Sequence, residues 1–225
     1  MGTTTGYSPT AIRSVGNMNL LHYWLCRSNR WRRIVEQRVP WVIGEHDLGE
    51  SALELGPGPG LTTDLLRLSV RHLTAIELDP ALAHLLRSRL LGSNVEVVTG
   101  DATSIPFPDQ QFSAAVSFTM LHHVPSRELQ DRVLREVWRV LKPGGIFAGT
   151  DSLDGWLMRL IHIGDTLVPI EPVSFGARLT AVGFEGVIVE TNSDAFRFHA
   201  RRPVKRTLQD DQLTDETTSL PAAAL

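Results

Sequence analysis

The chain has 225 residues and a formal net charge of −3, with 42% hydrophobic and 21% charged residues. That is enough apolar mass for a proper core, and no global charge draws the protein to nucleic acid or an anionic membrane. Cys26 is the only cysteine, which excludes an intramolecular disulfide and any multi-cysteine metal centre.

No apolar run is long enough to span a bilayer, and the first residues lack the charged-then-apolar layout of a signal peptide. Gly6 stands where a myristoylation pattern wants Ser or Thr. A cytoplasmic protein without membrane association is the expectation. In chain order, residues 1–16, rich in Thr, Gly and Ser, read as a flexible tail. Residues 17–42 predict a helical segment with Leu20, Trp24, Trp31, Ile34 and Val35 on one stripe. From 51 to 202, strand and helix patterns alternate, as a parallel sheet with crossover helices requires. Residues 203–225 are polar or small and read as a disordered tail.

The stretch Ser51-Ala-Leu-Glu-Leu-Gly-Pro-Gly-Pro-Gly60 is the most informative in the chain. It predicts a short buried strand, then a glycine turn, then a helix from Leu61. Such glycines admit positive φ and close approach of a ligand, at the strand edge where open α/β sheets bind ligands. A dinucleotide fingerprint would read Gly-x-Gly-x-x-Gly, but here Leu61 follows Gly56, Gly58 and Gly60. Glu54 would repel a pyrophosphate and suits a ligand carrying positive charge. S-adenosylmethionine, with its sulfonium and ammonium groups, is such a ligand.

Leu73 to Glu77 predicts a second strand ending in an acid, and Pro80 opens the next helix. Glu77 lies near the offset at which an acid reaches a ribose in nucleotide-binding α/β folds. Asp79 is the weaker ribose candidate, because in Asp-Pro it suits a helix cap. A third strand ends at Gly100-Asp101-Ala102, where Asp101 can accept from an adenine amine.

Together these motifs resemble the class I S-adenosylmethionine-dependent methyltransferases, particularly their small-molecule branch. The matching residues are Glu54–Gly60, Glu77, Gly100–Ala102, Ile105-Pro-Phe-Pro-Asp109 with Phe112, and Arg139-Val-Leu-Lys-Pro-Gly-Gly145. They keep the family's order and spacing over about residues 50–150. The resemblance implies a Rossmann-like α/β fold: a seven-stranded, mostly parallel sheet with helices on both faces and an N-terminal helical lid. It implies one domain over 17–202, with a lid at 17–42, a cofactor-binding core at 51–150 and a substrate-covering insertion at 151–172. By the same resemblance Glu54, Gly56, Gly58 and Gly60 border the methionine moiety, Glu77 the ribose, and Asp101 and Ala102 the adenine. Pro57, Leu78, Phe118 and Thr119 complete the expected cofactor contacts.

Past the core motifs, Ser113–Phe118 predicts a fourth strand and Ser126 caps a helix reaching Leu141. Lys142–Gly145 predicts a tight turn before a fifth strand, Ile146–Thr150. A last helix near Val173–Ala181 ends at Gly183 and precedes strands around Val187–Glu190 and Phe196–Ala200. In the family these two form the antiparallel edge.

Acceptor chemistry falls to loops at the strand ends. His122 and His123 follow the fourth strand, and either can act as a general base or simply shape the pocket wall. Positioning and desolvation can carry methyl transfer from a sulfonium without a base, and neither ring has an evident orienting carboxylate in the sequence. Tyr23 and Trp24 are candidates to stack on a planar substrate, or ordinary packing residues. His162, spaced to share a helix face with Asp165, is a further substrate-side candidate. The histidines lie on separate segments, so no metal is expected.

Arg27, Arg30, Arg32, Arg33 and Arg38 make the N-terminal segment locally basic, and the glycine turn is also similar to that of ribosomal RNA adenine dimethyltransferases. Those enzymes carry Asn-x-Pro-Tyr after the fourth strand to hold a flipped base. Here Ser117-Phe-Thr-Met-Leu-His122 stands instead. The expected partner is therefore a small organic acceptor at an O, N or C atom, with no nucleic acid. RNA methylation and a non-catalytic binding module are the alternatives.

Overall fold

The computed structural model describes residues 24–44 and 46–204. Helix α1 (Asn29–Ile43) is capped by Ser28, whose Oγ accepts from Trp31 N at 3.1 Å. Its Val35, Val39, Val42 and Ile43 recur at helical spacing and are buried. Then follow β1 (Ser51–Leu55), α2 (Leu61–Leu66), β2 (His72–Glu77), α3 (Pro80–Arg89), β3 (Val95–Thr99) and β4 (Phe112–Phe118). A 3-10 turn at Leu121–His123 leads into α4 (Arg127–Val140). The chain continues through β5 (Leu141–Ser152), the short α5 (Trp156–Ile161), α6 (Pro172–Val182), β6 (Glu185–Thr191) and β7 (Ala195–Arg201).

The seven strands lie in the order β3-β2-β1-β4-β5-β7-β6. β1 to β5 pair in parallel, and β7 runs antiparallel to both β5 and β6. The expected Rossmann-like class is therefore the observed one. Chain direction across the sheet reverses between β1 and β4, the switch point at which such sheets open a crevice. Leu55 pairs with Ser117 there, which brings the glycine turn and the Thr119 loop side by side.

Alternation along the strands decides which side chain faces which layer. Leu53 and Leu55 pack with Val133 and Val137 of α4 and with Phe175 and Leu179 of α6. Ala52, Ala114, Val116 and Ala148 pack on the opposite face with Val39, Val42 and Leu66. Helices thus cover both faces of the sheet.

One boundary differs from the sequence expectation. β5 begins at Leu141 rather than Ile146, because Phe112 pairs with Leu141 and Ala114 with Ile146. Lys142–Gly145 is thus a bulge within the strand rather than a turn before it. The last two strands form the expected antiparallel edge, with β7 beside β5 and β6 outermost. Ser126 and Gly183 act as expected: Ser126 Oγ accepts from Leu129 N, and Gly183 ends α6 with φ +108°. The tail at 1–16 lies outside the described residues, as does nearly all of the one at 203–225.

Candidate active site

One cavity of about 1590 Å³ runs along the carboxyl ends of β1, β2, β3, β4 and β5. That exceeds the roughly 300–1,000 Å³ of a single small-molecule pocket, so two ligands fit side by side. At one end the wall is Gly56, Pro57, Gly58, Glu77, Leu78, Asp101 and Ala102; at the other it is His122, His123, His162, Trp156 and the N-terminal helix.

Glu77 is the strut of the first end. Its Oε2 accepts from Gly58 N at 2.9 Å and its Oε1 from Asp79 N at 3.0 Å, tying the glycine turn to the β2–α3 loop. Burial pushes its carboxyl upward, against these backbone donors. Asp79 caps α3, accepting from Ala81 N at 2.7 Å and Leu82 N at 3.1 Å. Asp101 accepts from Thr103 N at 2.8 Å and lies at the rim.

The glycines divide their work. Gly58 has φ +53° and nothing within 4 Å of where a Cβ would stand, so the space over it is open to a ligand. A Cβ on Gly60, φ +84°, would instead strike Leu86 and Arg89. Gly60 and Glu54 do not line the cavity. Glu54 faces the other layer, 1% exposed, and both its oxygens are taken by α2: Thr62 Oγ1 donates to Oε1 and Thr63 Oγ1 to Oε2, the latter at 2.7 Å. Desolvation raises its carboxyl to about 7, only partly offset by the two threonines. Glu54 therefore sits behind the methionine end rather than on its wall, and Thr62 is the cavity residue it supports.

Phe118 and Thr119 line the junction between the two ends. Thr119 holds φ +51°, a strained conformation for a β-branched residue. Its N–H donates to Thr150 O at 2.8 Å, which holds the loop turned toward the cavity.

At the second end, His122 is 3% exposed and Asp151 is fully buried. His122 Nδ1 donates to Asp151 Oδ1 at 2.5 Å, and His122 N donates to Oδ2 at 3.3 Å. The sequence reading found no orienting carboxylate; the structure supplies one from the end of β5. His162 Nε2 lies 3.2 Å from His122 Nε2, and His162 Nδ1 donates to Met158 O at 2.7 Å. Burial, ahead of every other influence, lowers the pKa of His162. The His123 ring lies 4.1 Å from that of His122 and 5.1 Å from that of His162, centroid to centroid. The three histidines expected to be scattered are thus gathered. Gln130 holds them in place from behind: its Nε2 donates to Leu121 O at 3.2 Å and Val168 O at 2.9 Å.

The expected stacking residues fare differently. Trp24 is 68% exposed and off the cavity wall, where Leu25 and Cys26 ahead of α1 and Trp31 within it stand instead. Tyr23 lies outside the described residues. Burial beside Asp165 pushes the Cys26 thiol up to about 12, so it lines the cavity as an inert group. Asp151 and Gln130 were missed in the sequence. The position of Asp151 just past a predicted parallel strand was the available signal.

Residues 53–149 match the family model described as a methyltransferase domain. Over that span the chain carries a methyltransferase domain of the class I, S-adenosylmethionine-dependent kind. The domain is 38% identical to a demethylmenaquinone methyltransferase of Clavibacter sepedonicus over 136 residues, 60% of this chain and 48% of that protein. It is 37% identical to a probable ribosomal RNA small subunit methyltransferase A of Methanothermobacter thermautotrophicus, over 36% of this chain and 34% of that protein. The chain spans about half the length, or less, of these curated relatives. Among solved structures, a complex of DhpI with S-adenosylhomocysteine superposes with a TM-score of 0.63 at 22% identity, covering 83% of this chain and 96% of that one. Among the described residues, no helix is long and apolar enough to cross a membrane.

Proposed function

We propose that the protein transfers a methyl group from S-adenosylmethionine to a small, largely apolar organic acceptor bearing an ionisable oxygen or nitrogen. The observation that carries this reading is the single cavity joining the Glu77 end to the His122 end. The open cradle over Gly58 and the carboxylate of Glu77 fit the cofactor. On this reading Glu77 accepts from the ribose hydroxyls, Asp101 and Ala102 border the adenine, and Gly56, Pro57, Gly58 and Thr62 border the methionine moiety. When bound, S-adenosylmethionine supplies an electrophilic methyl group and leaves as S-adenosylhomocysteine.

The chain's own residues then have three tasks. Leu25, Trp31, Leu153, Trp156, Met158 and Leu160 line the acceptor end and exclude water. We assign residues 24–38 and 151–172 to covering it. Thr119 and Met120 form the wall at the junction. His122, oriented by Asp151, stands with His123 and His162 at the acceptor end, where the proton lost by the acceptor's reacting atom passes to water.

Incubation with methyl-labelled S-adenosylmethionine tests the proposal, with total RNA in one arm and phenols, fatty acids and demethylated quinones in the other. Label in the organic extract is the expected result. Label confined to RNA would replace the acceptor class, and S-adenosylhomocysteine binding with no transfer to any acceptor would favour a binding module.

A further inference from the structure

We propose that His122, His123 and His162 bind one divalent transition metal of zinc-like preference, with a fourth position open to an acceptor oxygen in the cavity. Their ligand nitrogens all lie within 4.8 Å of one another, the sole such grouping of His, Cys, Asp or Glu among the described residues.

Hydrogen-bond direction makes the argument. Asp151 Oδ1 and Met158 O are both acceptors, so each fixes a proton on the Nδ1 of its histidine. The Nε2 atoms of His122 and His162 are thereby turned toward each other at 3.2 Å. Two imidazole lone pairs repel at that separation unless a proton or a cation lies between them. A shared proton would engage two nitrogens, whereas three converge here. The separation also suits a metal: Zn–N bonds of about 2.0–2.1 Å in a tetrahedron place ligand nitrogens about 3.3 Å apart. A carboxylate behind one ring and a backbone carbonyl behind another are the supports that ligating histidines have. Three protein ligands with one position left open is the pattern of a catalytic rather than a structural site.

Binding by the three histidines stands by itself; the role for the open position rests on the proposed acceptor chemistry. There the metal would supply a Lewis acid to an acceptor oxygen, easing loss of its proton to water while a lone pair remains for the methyl group.

The test uses the full chain, stripped with chelator and titrated with Zn²⁺ by calorimetry and with Co²⁺ by visible absorption. One ion per chain and cobalt bands of four-coordinate intensity are expected. His123→Ala, at a half-buried position that leaves the fold intact, and Asp151→Asn should each weaken binding by about 10–100-fold. His46→Gln, in the separate His46–His199 stack, should change nothing. Absence of stoichiometric binding, or unchanged affinity in a His123→Ala/His162→Ala double variant, would overturn the assignment. S-adenosylhomocysteine affinity, measured on the same stripped protein, distinguishes that failure from failure of the proposed function: the cofactor would still bind.

Discussion

Asp151 stands one residue past the last rung pairing β4 with β5, and from there its Oδ1 meets His122 Nδ1 at 2.5 Å. A fully buried carboxylate is held at one orientation, and so is the ring it accepts from. Asp151→Asn preserves shape but removes the charge. Turnover should fall about 10–100-fold, with S-adenosylhomocysteine affinity changed by no more than about twofold. Steady-state kinetics beside calorimetry check it; a matching loss of cofactor affinity would show that the pair supports the whole cavity.

Glu77 holds Gly58 and Asp79 through separate oxygens. Glu77→Ala therefore removes the expected ribose acceptor and slackens the glycine turn. S-adenosylhomocysteine binding should weaken roughly tenfold to a hundredfold, each ~1.4 kcal/mol being a factor of ten. Asp79→Ala loses a helix cap, about 1 kcal/mol of stability, and should lower the melting temperature with a smaller effect on affinity. If Asp79→Ala proved the worse binder, the ribose site would lie at the loop and not at the strand end.

Gly58 and Gly60 separate binding from folding. Gly58→Ala meets open space and only the strain of positive φ, about 1–2 kcal/mol; on the proposed reading the added methyl intrudes on the methionine moiety. Affinity should drop more than about tenfold while the fold persists. Gly60→Val strikes Leu86 and Arg89 and should unfold the domain at a much lower temperature. Gly56→Val lies between these, since its side chain would displace Met120. Equal melting temperatures for the Gly58 and Gly60 variants would contradict this division.

Glu54 makes stability depend on pH. Its carboxyl is raised from about 4.5 to about 7 in the folded state, so folding favours its protonated form. The contribution is whole below pH 4.5, declines as pH rises to about 7, and is level above that. At 1.36 kcal/mol per pKa unit the loss is about 3 kcal/mol. Glu54→Gln should remove this dependence. Denaturant melts at pH 5 and pH 8 should show a smaller difference in the variant than in the wild type; identical pH dependence would show that Glu54 stays ionised throughout.

The gathering of Gly56, Gly58, Glu77 and Asp101 on one cavity wall was legible because its determinants are local. Gly56, Gly58, Glu77 and Asp101 each follow directly from a strand end, and one parallel sheet brings strand ends together. Glu54 was misplaced by one face: the period-two alternation that buries Leu53 and Leu55 on one layer turns Glu54 to the other, under Thr62 and Thr63. The acceptor end was less legible. His122, Asp151 and His162 come from three segments, and only the β4–β5 register and the six-residue α5 determine that they meet. Aligning Phe118 with Thr150 across the predicted sheet would have brought Asp151 beside the 119–123 loop. Nothing local in the sequence placed His162.

Arg38 of α1 pairs with Asp194 at 2.8 Å, and Arg197 of β7 stacks on Trp41 and donates to its carbonyl oxygen at 2.5 Å. The first helix of the described fold is thus fastened to its last hairpin, and the same helix walls the acceptor end of the cavity. During synthesis the Glu77 end of the cavity, walled from β1 to β4, can form long before β7 leaves the ribosome. The acceptor wall cannot be fastened until β7 arrives. A nascent chain halted before Asp194 would lack the partners that fasten α1 over this end of the cavity.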